Sequence, residues 1–271
     1  MKFVMILGLL WWPTAWAEDY FLSLKGEPVQ GALIIAQTNP GATVEIDGSA
    51  TAVTDDGYFM FGFGRFDEAS KTVQIVHQGH SYSTTVPVQT RSFPTERIDG
   101  LPPSKVNPPA ETLARIGREQ AQVKAARAVW SEQRHFLESF IWPSTGRVSG
   151  VYGSRRILNG EPKRPHYGMD IANLTGTPVV APAGGVVTMA VEDHYYTGGT
   201  IILDHGYGLN STYLHLSQVN VHEGQILEQG QKIGEIGATG RATGPHLDWR
   251  INIGTGLRLD PQLIIPAAPA E

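Results

Sequence analysis

Glycine and proline occur at short intervals along almost the whole sequence. Their frequency limits the chain to short secondary-structure elements. The 271 residues include 31 Gly and 18 Pro, which both disfavour helix interiors and mark turns. The apolar runs between them have the length of strands. We therefore expect a predominantly β fold.

The pattern changes along the chain and predicts two β domains. A chain of 271 residues could form one large core, but the change favours two modest ones. Residues 18–105 alternate short apolar runs with turn residues and predict a small β-sandwich-like domain. Short strands resume within residues 143–271, where we expect a second all-β domain.

The intervening residues 106–142 differ in composition. From Pro109 to Phe140 there is no internal proline, and Gly117 is the one internal glycine, while Ala, Glu, Gln and Arg are frequent. This composition predicts a long linker helix. We expect an apolar stripe to pack on a neighbouring domain and the basic side chains to remain solvated. The stripe is Leu113, Ile116, Val123 and Trp130, and the basic residues are Arg115, Arg118, Lys124 and Arg127.

Charge and cysteine content exclude several classes of function. Lys and Arg total 21 against 26 Asp and Glu, so the formal charge is -5 and there is no basic surplus for a phosphate backbone. This argues against a nucleic-acid partner. The chain has no cysteine, so any metal must be held by His, Asp or Glu.

The first residues predict export. Lys2 precedes the apolar stretch 3–12, and residues 15–17 form a small-x-small cleavage site. A stretch of about ten residues falls short of the roughly 20 that a membrane-spanning helix needs. We expect residues 1–17 to be a signal peptide, and the mature protein to be periplasmic or associated with the cell envelope.

His166 and Asp170 form the first candidate pair for chemistry. Their spacing of four places them on one face of a helix, and the even spacing also places them on one face of a strand. Pro165 and Gly168 disfavour the helix. Imidazole and carboxylate are both common zinc ligands. Taken alone, the pair is too weak a pattern to indicate a metal site.

His215 lies in the segment 211–217, which alternates as a strand. We expect Leu214 and Leu216 to face the core, and Tyr213 and His215 to face the opposite side, where a site could open. By itself this pattern favours a half-exposed strand histidine over a site residue.

A third segment follows the Gly-Pro turn at 244–245 and predicts a strand with one polar and one apolar face. The polar positions are His246, Asp248 and Arg250, and the apolar positions are Leu247, Trp249 and Ile251. Two ligand-type residues at a spacing of two, beside a buried tryptophan, would form a rigid platform.

Together these segments resemble the lysostaphin/LytM-type zinc endopeptidase family, from about Gly150 to Pro261. The family pattern has H-x-x-x-D, then Y-x-H-L, then T-G-x-x-T-G-P-H-L-H. Here His166 and Asp170 match the first motif, residues 213–216 the second and residues 239–248 the third, which ends in Asp248 instead of histidine. The glycine-rich spacers 180–185 and 234–237 also match.

The resemblance implies that residues 143–271 form an all-β catalytic domain with a LytM-like antiparallel sheet and a groove. It also implies that His166 and Asp170 bind one Zn²⁺ ion and that His215 and His246 are catalytic. The third metal ligand of the family falls on Asp248.

Asp248 can take this role, because a carboxylate is an accepted zinc ligand and its oxygen lies two bonds beyond Cβ, as Nδ1 of histidine does. One imidazole and two carboxylates formally cancel the charge of the ion, whereas two imidazoles and one carboxylate leave it positive. We therefore expect a weaker Lewis acid than in relatives with histidine.

The function implied by the resemblance is a zinc metalloprotease that hydrolyses peptide cross-links of bacterial peptidoglycan, with the peptide stems of the cell wall as its partners. The alternative is a catalytically silent domain of the same fold that binds cell wall or activates another wall hydrolase. Asp248 is the residue that favours this alternative. A contact between the groove and the N-terminal β domain or linker helix, acting as a gate, is also left open.

Overall fold

The structure is a computed structural model that describes residues 23–267. The predicted signal peptide, residues 1–17, lies outside this range. Within residues 23–267, no helix is both long and apolar enough to cross a membrane.

The N-terminal part contains two antiparallel sheets that share one core. Its strands are β1 (Ser23–Lys25), β2 (Leu33–Gln37), β3 (Thr43–Ile46), β4 (Ser49–Thr51), β5 (Tyr58–Gly62), β6 (Lys71–His77), β7 (His80–Val86) and β8 (Thr95–Ile98). One sheet has the order β1-β2-β5 and the other β4-β3-β6-β7. Ile34 and Phe61 from the first sheet pack against Val73 and Ile75 from the second, as in a β-sandwich.

Strand β2 is apolar without alternation because both of its faces are buried. Ile34 faces the N-terminal core, whereas Leu33 and Ile35 join the core of the C-terminal part. Met60 of the adjacent strand β5 joins them there. A strand covered on both sides needs apolar residues at successive positions. The first sheet therefore connects the two cores.

The helical region is shorter than the sequence predicts. Instead of one helix over 106–142, the structure has α1 (Pro103–Val106), α2 (Ala110–Arg127) and a 3₁₀ turn at His135–Leu137. Pro108 separates α1 from α2, because the residue before a proline disfavours helical backbone. After α2, Ser131 accepts a hydrogen bond from the Tyr207 amide at 2.8 Å and donates one to the Asp204 carboxylate. These tertiary contacts hold the chain in a non-helical path.

Two predictions for the faces of α2 are also wrong. Ile116 and Ala126 are buried, and Ala126 packs with Val123 on the C-terminal sheet, but Leu113 remains 53% exposed. Arg127, which was expected to be solvated, is only 6% exposed and donates a hydrogen bond to the Thr212 hydroxyl at 3.0 Å. The helix therefore directs a buried charge toward the sheet.

The C-terminal part contains one large sheet and two small ones, one of which includes β8 of the N-terminal part, so the predominantly β prediction is confirmed. Its strands are β9 (Arg147–Gly150), β10 (Arg155–Leu158), β11 (Glu161–Lys163), β12 (Met169–Ala172), β13 (Pro178–Val180), β14 (Gly185–His194), β15 (Gly198–Gly206), β16 (Leu209–Leu216), β17 (Gln218–Val219), β18 (Ile226–Leu227), β19 (Lys232–Glu235), β20 (His246–Ile253) and β21 (Leu257–Leu259). A second 3₁₀ turn follows at Pro261–Leu263.

The large sheet is antiparallel, with the order β18-β14-β15-β16-β20-β12-β9 and β21 beside β20. Leu247, Trp249 and Ile251 of β20 lie in its core, as their alternation predicts. The opposite side of β20 is consequently free to carry His246, Asp248 and Arg250.

Candidate metal centre and active site

The candidate metal centre is built around two carboxylates on neighbouring strands. Asp170 of β12 is directly paired with Asp248 of β20 in the antiparallel register. His166 lies in the extended segment before β12, where its amide donates to the Ser154 carbonyl at 2.9 Å and its carbonyl accepts from the Gly153 amide at 2.8 Å. These contacts bring ligand atoms of the three side chains within 4.8 Å of one another.

The polar atoms of this cluster fit a metal ion. Both ring nitrogens of His166 and Oδ1 of Asp170 are buried, and none of them has a hydrogen-bond partner among residues 23–267. Nε2 of His166 lies 2.9 Å from Oδ1 of Asp170, so the two atoms meet at one point in the cluster. Buried polar atoms usually have a partner. One imidazole and two carboxylates are a donor set that zinc accepts.

Each carboxylate is also held by its own arginine. Arg156 contacts Oδ2 of Asp170 at 2.6 Å, and Arg250 donates two hydrogen bonds to Asp248, at 2.9 and 2.6 Å. Burial raises the pKa of Asp248, but Arg250 and His166 outweigh it, so the pKa lies well below its usual value. Burial also raises the pKa of Asp170, but His166 and Arg156 outweigh it and lower that pKa, so both carboxylates are ionised, as metal ligands must be.

The arginines change the charge balance expected from the sequence. The two carboxylates formally cancel the charge of a divalent ion, but the guanidinium groups of Arg156 and Arg250 in turn neutralise the carboxylates. A formal charge counted over the ligands alone therefore does not describe the whole site. The side chain at position 250 was placed on the polar face of β20 by the sequence, but its pairing with Asp248 was not predicted.

His215 and His246 lie side by side, with 4.8 Å between their ring centroids. Nδ1 of His215 lies 2.8 Å from the Thr239 carbonyl, and Nδ1 of His246 lies 2.9 Å from the Gly244 carbonyl. Because a carbonyl can only accept, each Nδ1 donates a hydrogen bond to that carbonyl, which leaves Nε2 directed away from it. Burial, followed by the proximity of His246, lowers the pKa of His215 to about 4, so this imidazole is neutral.

The expected alternation along β16 is confirmed for Leu216, which lies in the core, but is wrong for Tyr213 and Leu214. Tyr213 lies in the core, whereas Leu214 faces the same groove as His215. The cause is the backbone of His215, which has a φ of 66°, beside a shift in the pairing register of β15 and β16. A left-handed residue interrupts strand alternation and redirects the side chains around it. His215 thus lies on the polar face because of its left-handed backbone conformation, and not because of regular strand alternation.

The family can now be assigned to the segment that carries these residues. Residues 164–261 match the model of Peptidase family M23. The chain contains an M23 peptidase domain. The match begins just before His166 and includes each of the candidate ligands and both histidines.

Two curated proteins, from different bacteria, are similar in sequence to the M23 domain of this chain. A segment of 110 residues is 43% identical to the peptidoglycan DD-endopeptidase ShyA of Vibrio cholerae, covering 40% of this chain and 25% of that protein. A segment of 107 residues is 38% identical to the DD-carboxypeptidase/endopeptidase Mpg of Neisseria meningitidis, covering 40% of this chain and 24% of that protein. The chain thus spans about a quarter of the length of the curated relatives it matches.

A solved structure is similar over a larger part of the chain. It is a crystal structure of an M23 peptidase from Pseudomonas aeruginosa, with a TM-score of 0.66 and 26% sequence identity. The similarity covers 89% of this chain and 96% of that one. It therefore extends well beyond the M23 domain.

A groove of about 1260 Å³ opens on the polar face of the M23 domain. His166, Asp248 and His215 line it, together with side chains from α2 and from the loop 64–67 of the N-terminal part. Among the other histidines, His205 is buried between the Gly184 carbonyl and the Ser211 hydroxyl, both at 2.7 Å. Both ring nitrogens of His205 are therefore used in contacts within the fold.

Proposed function

We propose that the chain is a zinc-dependent endopeptidase that hydrolyses peptide cross-links of bacterial peptidoglycan. The observation that carries the proposal is the buried cluster of His166, Asp170 and Asp248, in which the His166 ring nitrogens and Oδ1 of Asp170 have no hydrogen-bond partner among residues 23–267. Beside it lie two histidines whose Nδ1 atoms are each held by a backbone carbonyl. The M23 domain and relatives named as peptidoglycan endopeptidases support the substrate class. Such a substrate requires export to the periplasm or cell envelope, as residues 1–17 predict.

In this proposal, His166, Asp170 and Asp248 hold one zinc ion. The bound ion would supply Lewis-acid polarisation of the scissile carbonyl. Arg156 and Arg250 keep the two carboxylates ionised and oriented. Buried arginine–carboxylate hydrogen bonds of this kind fix geometry as well as charge.

In this proposal, His215 and His246 transfer protons and stabilise the negative charge that forms on the substrate carbonyl oxygen. Each imidazole is oriented by the hydrogen bond from Nδ1 to a backbone carbonyl, so Nε2 is directed away from the backbone. A neutral imidazole with a free Nε2 can accept a proton from an attacking water, and the resulting imidazolium can donate it to the leaving amine. The adjacent imidazole can stabilise the oxyanion.

A second function is favoured by one specific contact. Both oxygens of Asp248 already accept hydrogen bonds from Arg250, so the carboxylate is satisfied without a metal. This supports the alternative of a catalytically silent domain that binds cell wall or activates another hydrolase. Carboxylate oxygens have additional lone pairs that can bind an ion while these bonds persist, so we place the active enzyme first.

We also propose that α2 and the N-terminal part contact the substrate groove and limit access to it. The hydrogen bond of Arg127 to Thr212 and the position of residues 64–67 in the groove wall support this contact.

The test is metal content and hydrolysis measured on one preparation. Purified full chain should bind one equivalent of zinc and release cross-linked peptides from isolated cell wall, and the Asp170→Asn variant should do neither. Stoichiometric zinc without peptide release would favour the silent domain. A folded chain that binds no zinc would exclude the proposed enzyme.

A further inference from the structure

The groove is basic, although the chain as a whole is acidic. The formal charge of the chain is -5, yet arginine and lysine side chains outnumber aspartate and glutamate in the groove wall. Clefts with one sign of charge concentrate ligands of the opposite sign. The groove should therefore prefer an anionic ligand.

Arg127 is a buried cation of the groove wall and is incompletely paired. Its side chain lines the groove, its Nη2 donates to the Thr212 hydroxyl at 3.0 Å, and its Nε has no hydrogen-bond partner among residues 23–267. Burial, and then the neighbouring guanidinium groups of Arg258 and Arg250, lower the pKa of Arg127. A buried cation among like charges is unfavourable unless an anion joins it.

Arg258 is in a similar situation. It lines the same groove and donates to the Asn252 amide oxygen at 2.6 Å. In the part of the chain that the structure describes, no carboxylate forms an ion pair with Arg127 or Arg258, whereas Arg250 is paired with Asp248. Two guanidinium groups thus face one groove without a counter-ion.

We propose that Arg127 and Arg258 form a carboxylate-binding subsite of the groove, which takes a free carboxylate of the substrate peptide. This inference rests on the proposed peptidase function and specifies how that function selects its substrate. A guanidinium group binds a carboxylate through two parallel hydrogen bonds, so each of these side chains suits this ligand. Cross-linked wall peptides carry free carboxylates, and capping them as amides removes the charge.

The subsite lies close to the candidate metal centre. Thr212, which holds Arg127, is directly paired with Arg250 across strands β16 and β20, and Arg250 is two residues from Asp248. A carboxylate bound here would belong to a residue near the scissile bond. Such a contact would set the register of the peptide in the groove, since charge-assisted hydrogen bonds are among the stronger polar contacts.

The experiment measures binding rather than turnover. A cross-linked peptide dimer of the cell wall is compared with versions in which each free carboxylate is amidated in turn, by calorimetry on zinc-loaded full chain carrying His246→Ala so that no peptide is consumed. We expect at least one amidation to weaken binding by about tenfold to a hundredfold, as for the loss of a hydrogen bond to a charged group. Arg127→Gln and Arg258→Gln should each remove most of that difference.

Arg118→Gln is the matched control, because Arg118 lies on the same helix but is exposed. It should retain the full effect of amidation. Equal binding of all the peptides would overturn the subsite, and so would an amidation effect that persists in both variants. The peptides are compared on a chain in which Arg127 and Arg258 are unchanged. This comparison therefore tests the subsite even if the Arg127→Gln variant misfolds. Cleavage of native wall alongside equal binding would leave the proposed peptidase intact.

Discussion

Asp170 and Asp248 lie directly opposite each other on strands β12 and β20, and each carboxylate is held by a different arginine. Two carboxylates at adjacent buried positions would repel each other without compensation. The arginines and a bound cation supply that compensation from opposite sides. The four side chains and His166 therefore behave as one electrostatic unit.

The first prediction concerns Asp248 as a metal ligand. Asp248→Ala should reduce bound zinc from about one equivalent to well below a tenth, because two donors hold zinc poorly and the charge balance is lost. Elemental analysis of dialysed protein measures this. The control is Glu223→Ala at an exposed position, which should keep its zinc. Full zinc occupancy in Asp248→Ala would remove this residue from the metal site.

The second prediction concerns the pairing of Arg250 with Asp248. Arg250→Ala should lower the free energy of unfolding of metal-free protein by about 3 kcal/mol, because it leaves a buried carboxylate without its partner. The double variant Asp248→Ala/Arg250→Ala should be less destabilised than the sum of the two single variants. Urea titrations of the four proteins give the coupling directly. Additive effects would show that the pair contributes no net stability.

The third prediction separates metal binding from catalysis. His215→Ala and His246→Ala should each lower kcat by at least about a hundredfold, the usual effect of losing an acid–base or oxyanion group. Their zinc content should match that of the wild type, in contrast to His166→Ala. Release of peptides from cell wall and metal analysis are measured together. Loss of zinc in His215→Ala would reassign that residue as a ligand.

The fourth prediction concerns the stability contributed by His205. Burial lowers the pKa of this imidazole to about 4 in the folded chain, so folding favours its neutral form. The contribution of His205 to the free energy of unfolding is complete above the unfolded pKa of about 6.5. It is lost as the pH falls from there toward 4, and the loss amounts to at most about 3 kcal/mol. His205→Gln should flatten the dependence of unfolding free energy on pH in this window. His135 and Glu138 lie nearby and stay unchanged in both proteins. An unchanged slope would mean that other groups dominate acid unfolding.

Local patterns in the sequence were sufficient for several features. Alternation along β20 placed Leu247, Trp249 and Ile251 in the core, because side-chain direction in a regular strand depends only on position. Composition predicted one long helix over residues 106–142, whereas the structure has a long helix only at Ala110–Arg127 within that range. The absence of cysteine restricted the ligand types before any geometry was known.

Other features depend on contacts between residues far apart in the chain. Helix α2 ends at Arg127 because Asp204 and Tyr207 hold the residues that follow, and no local signal marks those partners. Arg127 was predicted to be solvated because arginine usually is, yet packing of α2 on the sheet buries it. His215 reaches the groove through a left-handed backbone conformation that strand periodicity cannot represent.

The sequence by itself determined which residue types could bind a metal and which strand carries two of them on one face. The tertiary structure decided that Asp170 meets Asp248, since that depends on the register of β12 against β20. It also decided that each of these two carboxylates is paired with an arginine. Arg127, by contrast, forms no ion pair with a carboxylate in the part of the chain that the structure describes. The physical reason is that side-chain direction is a local property of the backbone, whereas charge pairing depends on distances set by the packing of the whole chain.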